Sequence, residues 1–237
     1  MTKDQVDNNL CAVGHKCPAG SRDKYAVPCP PGQYQPEEGK DVCIKCTVGN
    51  FCLGSTVHPI PCPAGYFCKE GDVSSATHVD NMPQPCEKGT YGHKVGLKLV
   101  TECQDCDPGF YCAERGADSP TGMCDAGYYC DTKSITPRPT GTGGNVCPTG
   151  GYCEQGSFAA KLCLGGYYNL VTGKKTINDC TLCSPGKYCQ PAEGSGSATA
   201  GLDCADGYYC IAGSPVKEQN PAPPGTFSST LTAWKAT

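Results

Sequence analysis

Hydrophobic and polar positions along this chain keep neither of the common periods for long. No segment holds the apolar i, i+3, i+4 spacing of an amphipathic helix far enough to predict one. Alternation survives only locally, as at Val95, Leu97, Leu99 and Thr101 among polar neighbours. Short strand pairs are therefore expected around Tyr34 to Cys43, Tyr91 to Cys103 and Tyr167 to Cys180, with little or no helix. Between these lie polar, low-complexity stretches at 71–85, 134–144 and 192–201, which read as turns and surface loops.

A different order replaces the missing periodicity. Eight segments read Cys-x-x-Gly-x-x-Cys, at 11–17, 46–52, 62–68, 106–112, 124–130, 147–153, 183–189 and 204–210. An aromatic residue precedes the second Cys in all but the first, where Lys16 stands. Three longer units begin the same way, CPPGQY at 29–34, CEKGTY at 86–91 and CLGGYY at 163–168, and run on to Cys43, Cys103 and Cys180. These assignments use every cysteine. Gly behind Pro, as in Pro31-Gly32 or Pro108-Gly109, is the mark of a type II turn whose Gly takes φ > 0. The aromatic beyond each turn supplies apolar area to a fold nearly devoid of Leu and Ile. Gly49→Val or Gly109→Val is thus expected to harm folding more than an exposed substitution.

Composition explains why such stapling is needed. The 237 residues include 22 Cys, 31 Gly and 21 Pro. Leu, Ile, Val and Phe together number 33, too few for an ordinary apolar core. A large α/β enzyme domain is excluded, and covalent bridges in an oxidising, extracellular setting take the place of the core. The net charge of −4 is scattered, with Lys174-Lys175 the longest basic run, so nucleic acid is a poor partner. No apolar run approaches a membrane span. The opening MTKDQVDNNLC has no signal-peptide core, which reads as a mature product or a piece of a longer secreted protein.

The repeats divide the chain into an N-terminal partial module at 1–28, cysteine-rich repeats at 29–85, 86–162 and 163–221, and the start of a further repeat at 222–237. The second repeat carries the inserted short unit 147–153. In the tail, Ala222 and Ala236 stand where Cys29 and Cys43 do. Paired loss points to bridges Cys29–Cys43, Cys86–Cys103 and Cys163–Cys180. Consecutive short units are expected to pair crosswise: Cys46–Cys62 with Cys52–Cys68, Cys106–Cys124 with Cys112–Cys130, and Cys183–Cys204 with Cys189–Cys210. The remaining Cys11–Cys17 and Cys147–Cys153 would close locally. Spacing alone leaves connectivity open, since six cysteines already allow 15 patterns.

The pattern C-x-x-G-x-Y-x(n)-C-x-x-C-x-x-G-x-Y-C resembles the ephrin-receptor-like Gly-Cys-Cys repeat family, whose modules look like those of tumour-necrosis-factor receptors. The resemblance spans Cys11 to about Ala236, and endings such as GYYC and GYFC are closest to protist-type repeats. It implies tandem, elongated, extracellular modules within large surface proteins. It does not specify a function.

Rival chemistries find little footing. The C-x-x-C pairs at 43–46, 103–106 and 180–183 each lead into C-x5-C rather than a second C-x-x-C, and His15, His58, His78 and His93 lack ligand spacing, so no metal or cofactor is expected. No G-x-S-x-G, H-E-x-x-H or P-loop occurs, and Thr140 to Gly144 reads as a flexible loop. The chain is not expected to be an enzyme. No Asn-x-Ser/Thr sequon is present, and in the Asn-x-Cys triplets at Asn9, Asn50, Asn145 and Asn178 the Cys is wanted for a bridge. Thr136, Thr140 and Thr142 are candidate O-glycan sites, making the chain a candidate glycoprotein. Small modules in a row favour a rod. Such a rod suits a structural part of an extracellular filament or coat whose partners are copies of itself or other surface proteins. The alternative is a receptor or adhesin stalk that binds a protein or glycan.

Overall fold

The computed structural model describes residues 10–69, 82–190 and 199–226. The loop readings for 71–81 and 192–198, together with Asn9, His78 and Ala236, lie outside the described residues. Two compact units divide the chain. The first is Met1–Asp105 with Glu114–Ser119, and the second is Cys106–Ala113 with Pro120–Thr237.

Both units are built from one element, a turn followed by a two-stranded ladder. In the first unit β1 (His15–Lys16) pairs antiparallel with β2 (Val27–Pro28), β3 (Gln33–Tyr34) with β4 (Ile44–Lys45), and β5 (Asn50–Phe51) with β6 (Ile60–Pro61). It continues with β7 (Tyr66–Phe67) on β8 (Gln84–Pro85) and β9 (Thr90–Tyr91) on β10 (Gln104–Asp105). The second unit repeats the scheme in six ladders, from β11 (Phe110–Tyr111) on β12 (Gly122–Met123) to β21 (Tyr208–Tyr209) on β22 (Asn220–Pro221). Each ladder joins the residues just past a turn glycine to the two residues before the following module. Pairing is thus spread along the chain instead of being confined to the three long units. Helix is limited, among the described residues, to the 3-10 turns Val100–Glu102 and Ile177–Asp179.

Glycine at the turn is obligatory for two reasons, best seen at Gly65 and Gly109. Their φ values are 84° and 85°, in the left-handed region that L side chains avoid. A Cβ would also fall 2.1 Å from the Gly116 carbonyl oxygen at Gly65, and 2.4 Å from that of Gly156 at Gly109.

The core is mostly sulfur. Eleven disulfides use all the cysteines, with Cα–Cα distances of 5.7 to 6.1 Å. The conventional apolar core among the described residues is small: Phe67 and Leu97 pack on Cys86, with Cys103 at the edge. The long units are bridged Cys29–Cys43, Cys86–Cys103 and Cys163–Cys180, and Cys11–Cys17 and Cys147–Cys153 close locally.

The crossed pairing of consecutive short units is not what the structure has. In place of Cys46–Cys62 with Cys52–Cys68 there are Cys46–Cys52 and Cys62–Cys68. In place of Cys106–Cys124 with Cys112–Cys130 there are Cys106–Cys112 and Cys124–Cys130. In place of Cys183–Cys204 with Cys189–Cys210 there are Cys183–Cys189 and Cys204–Cys210. The cause is the turn. Its left-handed glycine folds seven residues back until their own two cysteines meet within bridging distance. What a module presents to its neighbour is backbone: Cys62 N–H donates to the Gly49 carbonyl at 2.9 Å, and Gly49 N–H donates to the Cys68 carbonyl at 2.8 Å.

Candidate functional site

Among the described residues, the short bridges Cys11–Cys17, Cys62–Cys68, Cys106–Cys112, Cys124–Cys130, Cys147–Cys153 and Cys183–Cys189 each sit in a backbone clamp. In module 62–68, Cys62 N–H donates to Gly49, and the Cys62 carbonyl accepts from Gly96 N–H at 2.7 Å. Cys68 N–H donates to the Leu97 carbonyl at 2.9 Å, and the Cys68 carbonyl accepts from Gly49. Both cysteines therefore have N–H and C=O satisfied while their sulfurs are buried. The same two-point grip recurs as Gly156-Ser157 on Cys124–Cys130, Gly173-Lys174 on Cys147–Cys153 and Gly213-Ser214 on Cys183–Cys189.

The gripping residue lies nine or ten positions after the first Cys of the module that follows the gripped one, and it takes positive φ. Reasoning from the sequence missed it, although a second repeated glycine (Gly39, Gly96, Gly116, Gly156, Gly173, Gly213) was the signal. Two modules are held by other residues in the same left-handed conformation, Ser55 with φ 60° and Lys133 with φ 62°.

Long modules keep the clamp but move the bridge. Where a short module has its second Cys, they carry Gln35, Gly92 and Asn169, all buried. The backbone there is gripped as usual: Gln35 N–H donates to Thr56, Gly92 N–H to Ala117, and the Asn169 carbonyl accepts from Gly150 N–H at 2.8 Å. Gln35 Nε2 donates to the Val42 carbonyl at 2.7 Å, and its Oε1 accepts from Glu37 N–H at 3.1 Å. Asn169 Nδ2 donates to the Gly151 carbonyl at 2.7 Å, and its Oδ1 accepts from Val171 N–H at 2.9 Å. At Gly92 the space belongs to Leu97, whose Cδ1 would be 2.9 Å from a Cβ. The second half-cystines, Cys43, Cys103 and Cys180, lie outside the clamp and are half-buried. Before two of them a carboxylate closes a short turn. Glu102 accepts from Lys98 and Leu99 N–H, and Asp179 accepts from Lys175 and Thr176 N–H at 2.9 Å each. These backbone donors hold both carboxyls below their ordinary range.

Among the described residues, one loop departs from the common plan. Between modules 124–130 and 147–153 the ladder lengthens to three residues, β13 (Tyr128–Cys130) on β14 (Gly144–Val146), and the chain between is folded on itself. Pro139 and Ser134 are fully buried. Asp131 N–H donates to the Gly143 carbonyl and Asp125 N–H to the Pro137 carbonyl, each at 2.9 Å. Arg138 Nε meets Asp125 Oδ2 at 2.6 Å, which raises the guanidinium pKa. The reading of Thr140 to Gly144 as a flexible loop is corrected by this packing. A Cβ on Gly144 would lie 2.8 Å from Pro139 Cγ, so the glycine makes room for the ring that anchors the loop. Among the candidate glycan positions, Thr140 and Thr142 are exposed, while Thr136 is half-buried and its hydroxyl accepts from Arg138 N–H at 3.4 Å.

Other charges form exposed pairs, Lys40–Glu37, Arg115–Glu87, Lys161–Glu154 and Lys187–Asp203, each worth little to stability. With every cysteine bridged, no thiolate is free to hold a metal. No helix among the described residues is long and apolar enough to cross a membrane.

No family model matches the chain. It is 29% identical over 155 residues to white-brown complex homolog protein 30 of Arabidopsis thaliana, covering 65% of this chain and 12% of that protein. Zonadhesin of Mus musculus is 23% identical over 207 residues, 82% of this chain and 4% of that protein. Major surface-labeled trophozoite antigen 417 of Giardia intestinalis is 28% identical over 220 residues, 83% of this chain and 28% of that protein. The chain thus spans a small part of each relative's length. Its stapled modules and these similarities are those of an extracellular or cell-surface cysteine-rich repeat protein.

Proposed function

We propose that the chain is a non-enzymatic structural segment of a larger extracellular surface or filament protein, in which disulfide-stapled modules mediate assembly with copies of the chain or with other surface proteins. The observation that carries this reading is uniformity: the same turn, ladder and clamp recur in module after module of both units. Resemblance to the ephrin-receptor-like repeat supports it, as does similarity to a protein described as a surface antigen. The repeat boundaries at 29–85, 86–162 and 163–221, and glycans on Thr140 and Thr142, belong to the same proposal. Negative-stain imaging of the unreduced protein from its source tests it. Regular filaments or sheets are expected, and particles that stay dispersed at high concentration would overturn it.

A second reading, a stalk that binds a protein or glycan, draws on the packed loop at 131–143. Rigid loops on a scaffold are common recognition sites, and this one holds exposed Ile135, Arg138 and Thr140 in place. Dispersed particles whose binding to cells is lost on loop replacement would favour it.

A further inference from the structure

We propose that the three long bridges are thiol-exchange sites, open to small-molecule thiols at Cys43, Cys103 and Cys180, whereas the inner short bridges are closed to them. Access differs sharply between the two classes. In modules 46–52, 62–68, 106–112, 124–130, 147–153 and 183–189, both cysteines are at most 2% exposed. In the long modules the first cysteines, Cys29, Cys86 and Cys163, are equally buried, but their partners are half-buried. Exchange requires a thiolate to reach a sulfur in line with the bond, so burial of both sulfurs blocks it and exposure of one selects the sulfur attacked. Cys17 and Cys204, in the first and last modules, are half-buried as well, so the six inner short modules are the reference.

The backbone explains how a long bridge opens without loss of the fold. Cys103 and Cys180 donate only to the Val100 and Ile177 carbonyls of their own short turns. The buried slot is kept by Gln35, Gly92 or Asn169, whose hydrogen bonds do not involve the bridge. Opening Cys29–Cys43 or Cys163–Cys180 frees the loop between the two cysteines and leaves the ladders to neighbouring modules in place. Cys103 packs against the Phe67–Cys86–Leu97 cluster, so its bridge exchanges after the other two.

The chemistry balances with a thiol as the only co-reactant. Its thiolate attacks Cys43 Sγ, the new S–S bond forms as the bond to Cys29 breaks, and the electron pair leaves on Cys29 Sγ, which takes a proton from water. A dithiol completes the reduction. Its second thiolate attacks its own bound sulfur, Cys43 leaves as thiolate, and the dithiol departs as a cyclic disulfide.

The test uses the whole folded protein and glutathione at about pH 8, with acid quenching and peptide mapping by mass spectrometry. Mixed disulfides are expected on Cys43 and Cys180 first and Cys103 next, about tenfold or more faster than on any cysteine of the six inner short modules. Adducts on Cys29, Cys86 or Cys163, or equal rates across the short modules, would overturn the assignment. Amide exchange of Gly32 and Gly166, measured on the modified protein, separates local opening from unfolding. Protection at both is expected to persist, and its loss together with exchange would also overturn the proposal.

Discussion

A short module and a long one solve the same packing problem with different chemistry. Module 147–153 closes on itself through a buried bridge, and both its cysteines are gripped by Gly173-Lys174 and by Gly127 backbone. Module 163–180 has the same turn and strand pairing, yet its second slot holds Asn169, and its bridge runs outward to Cys180. The repeated unit is therefore a set of backbone slots. Sulfur fills a slot in one case and a satisfied amide in the other, and the disulfide is attached wherever the remaining chain allows. A buried amide with both ends hydrogen-bonded costs little, whereas the same amide unpaired would be destabilising.

The largest effect should come from breaking what both kinds share. Gly109→Val puts a β-branched side chain at φ 85° and drives its Cβ into the Gly156 carbonyl. A loss of about 3–5 kcal/mol is expected, enough to unfold the surrounding modules, and Gly166→Val in a long module should match it. Denaturant titration reads both. Equal losses mean that the turn is common to the two designs, and a mild loss in either would mean that its clamp yields.

Removing bridges sharpens the contrast. Chain entropy alone makes a longer loop the more stabilising, by under about 1 kcal/mol between seven and eighteen residues. Burial points the other way, because losing a short bridge leaves a void inside a gripped slot. Cys106→Ala with Cys112→Ala should cost about 2–5 kcal/mol, and Cys29→Ala with Cys43→Ala less. A larger cost for the long bridge would show that loop entropy outweighs packing here.

Much of this was legible in the sequence. The spacing of cysteines around an invariant glycine gives the module count, and the aromatic after it gives the strand. The pairing of short units was not legible, because local and crossed schemes use the same residues at the same spacing. Only the folded turn brings Cys46 to Cys52. The clamp was hidden by drift. Gly39, Gly96, Gly116 and Gly173 follow their module's first Cys by ten residues, Gly156 and Gly213 by nine, and Ser55 and Lys133 are not glycine at all. Nothing in the spacing singles out Gln35 and Asn169, since burial of an amide depends on partners that a pattern of polar positions cannot reveal.

Filling the slot with the wrong group should cost an intermediate amount. Asn169→Ala leaves the Gly151 carbonyl and Val171 N–H without their partners, for an expected loss of about 1–3 kcal/mol. Gln35→Ala should cost less, because its contacts lie within its own loop. Ser55→Gly should act in the opposite direction, raising stability by about 0.5–1 kcal/mol through relief of the left-handed backbone, and thermal melts resolve the sign.

The smallest effect separates the long modules from one another. Glu102 and Asp179 tie short turns ahead of Cys103 and Cys180, whereas Val42 precedes Cys43. Backbone hydrogen bonds lower both carboxyl pKa values in the folded protein, so the ties are complete above the unfolded carboxylate value and are lost as pH falls through the folded one. The sensitive window therefore lies below the ordinary values of 4.5 for Glu and 3.8 for Asp. Amide exchange of Leu99 and Thr176 should quicken across that window while the loop ahead of Cys43 stays unchanged. Glu102 is exposed and Asp179 half-buried at the surface, and global stability should barely move. A titration by NMR that found either carboxyl at or above its ordinary value would remove the tie from that module and leave its loop held by the bridge and the short turn alone.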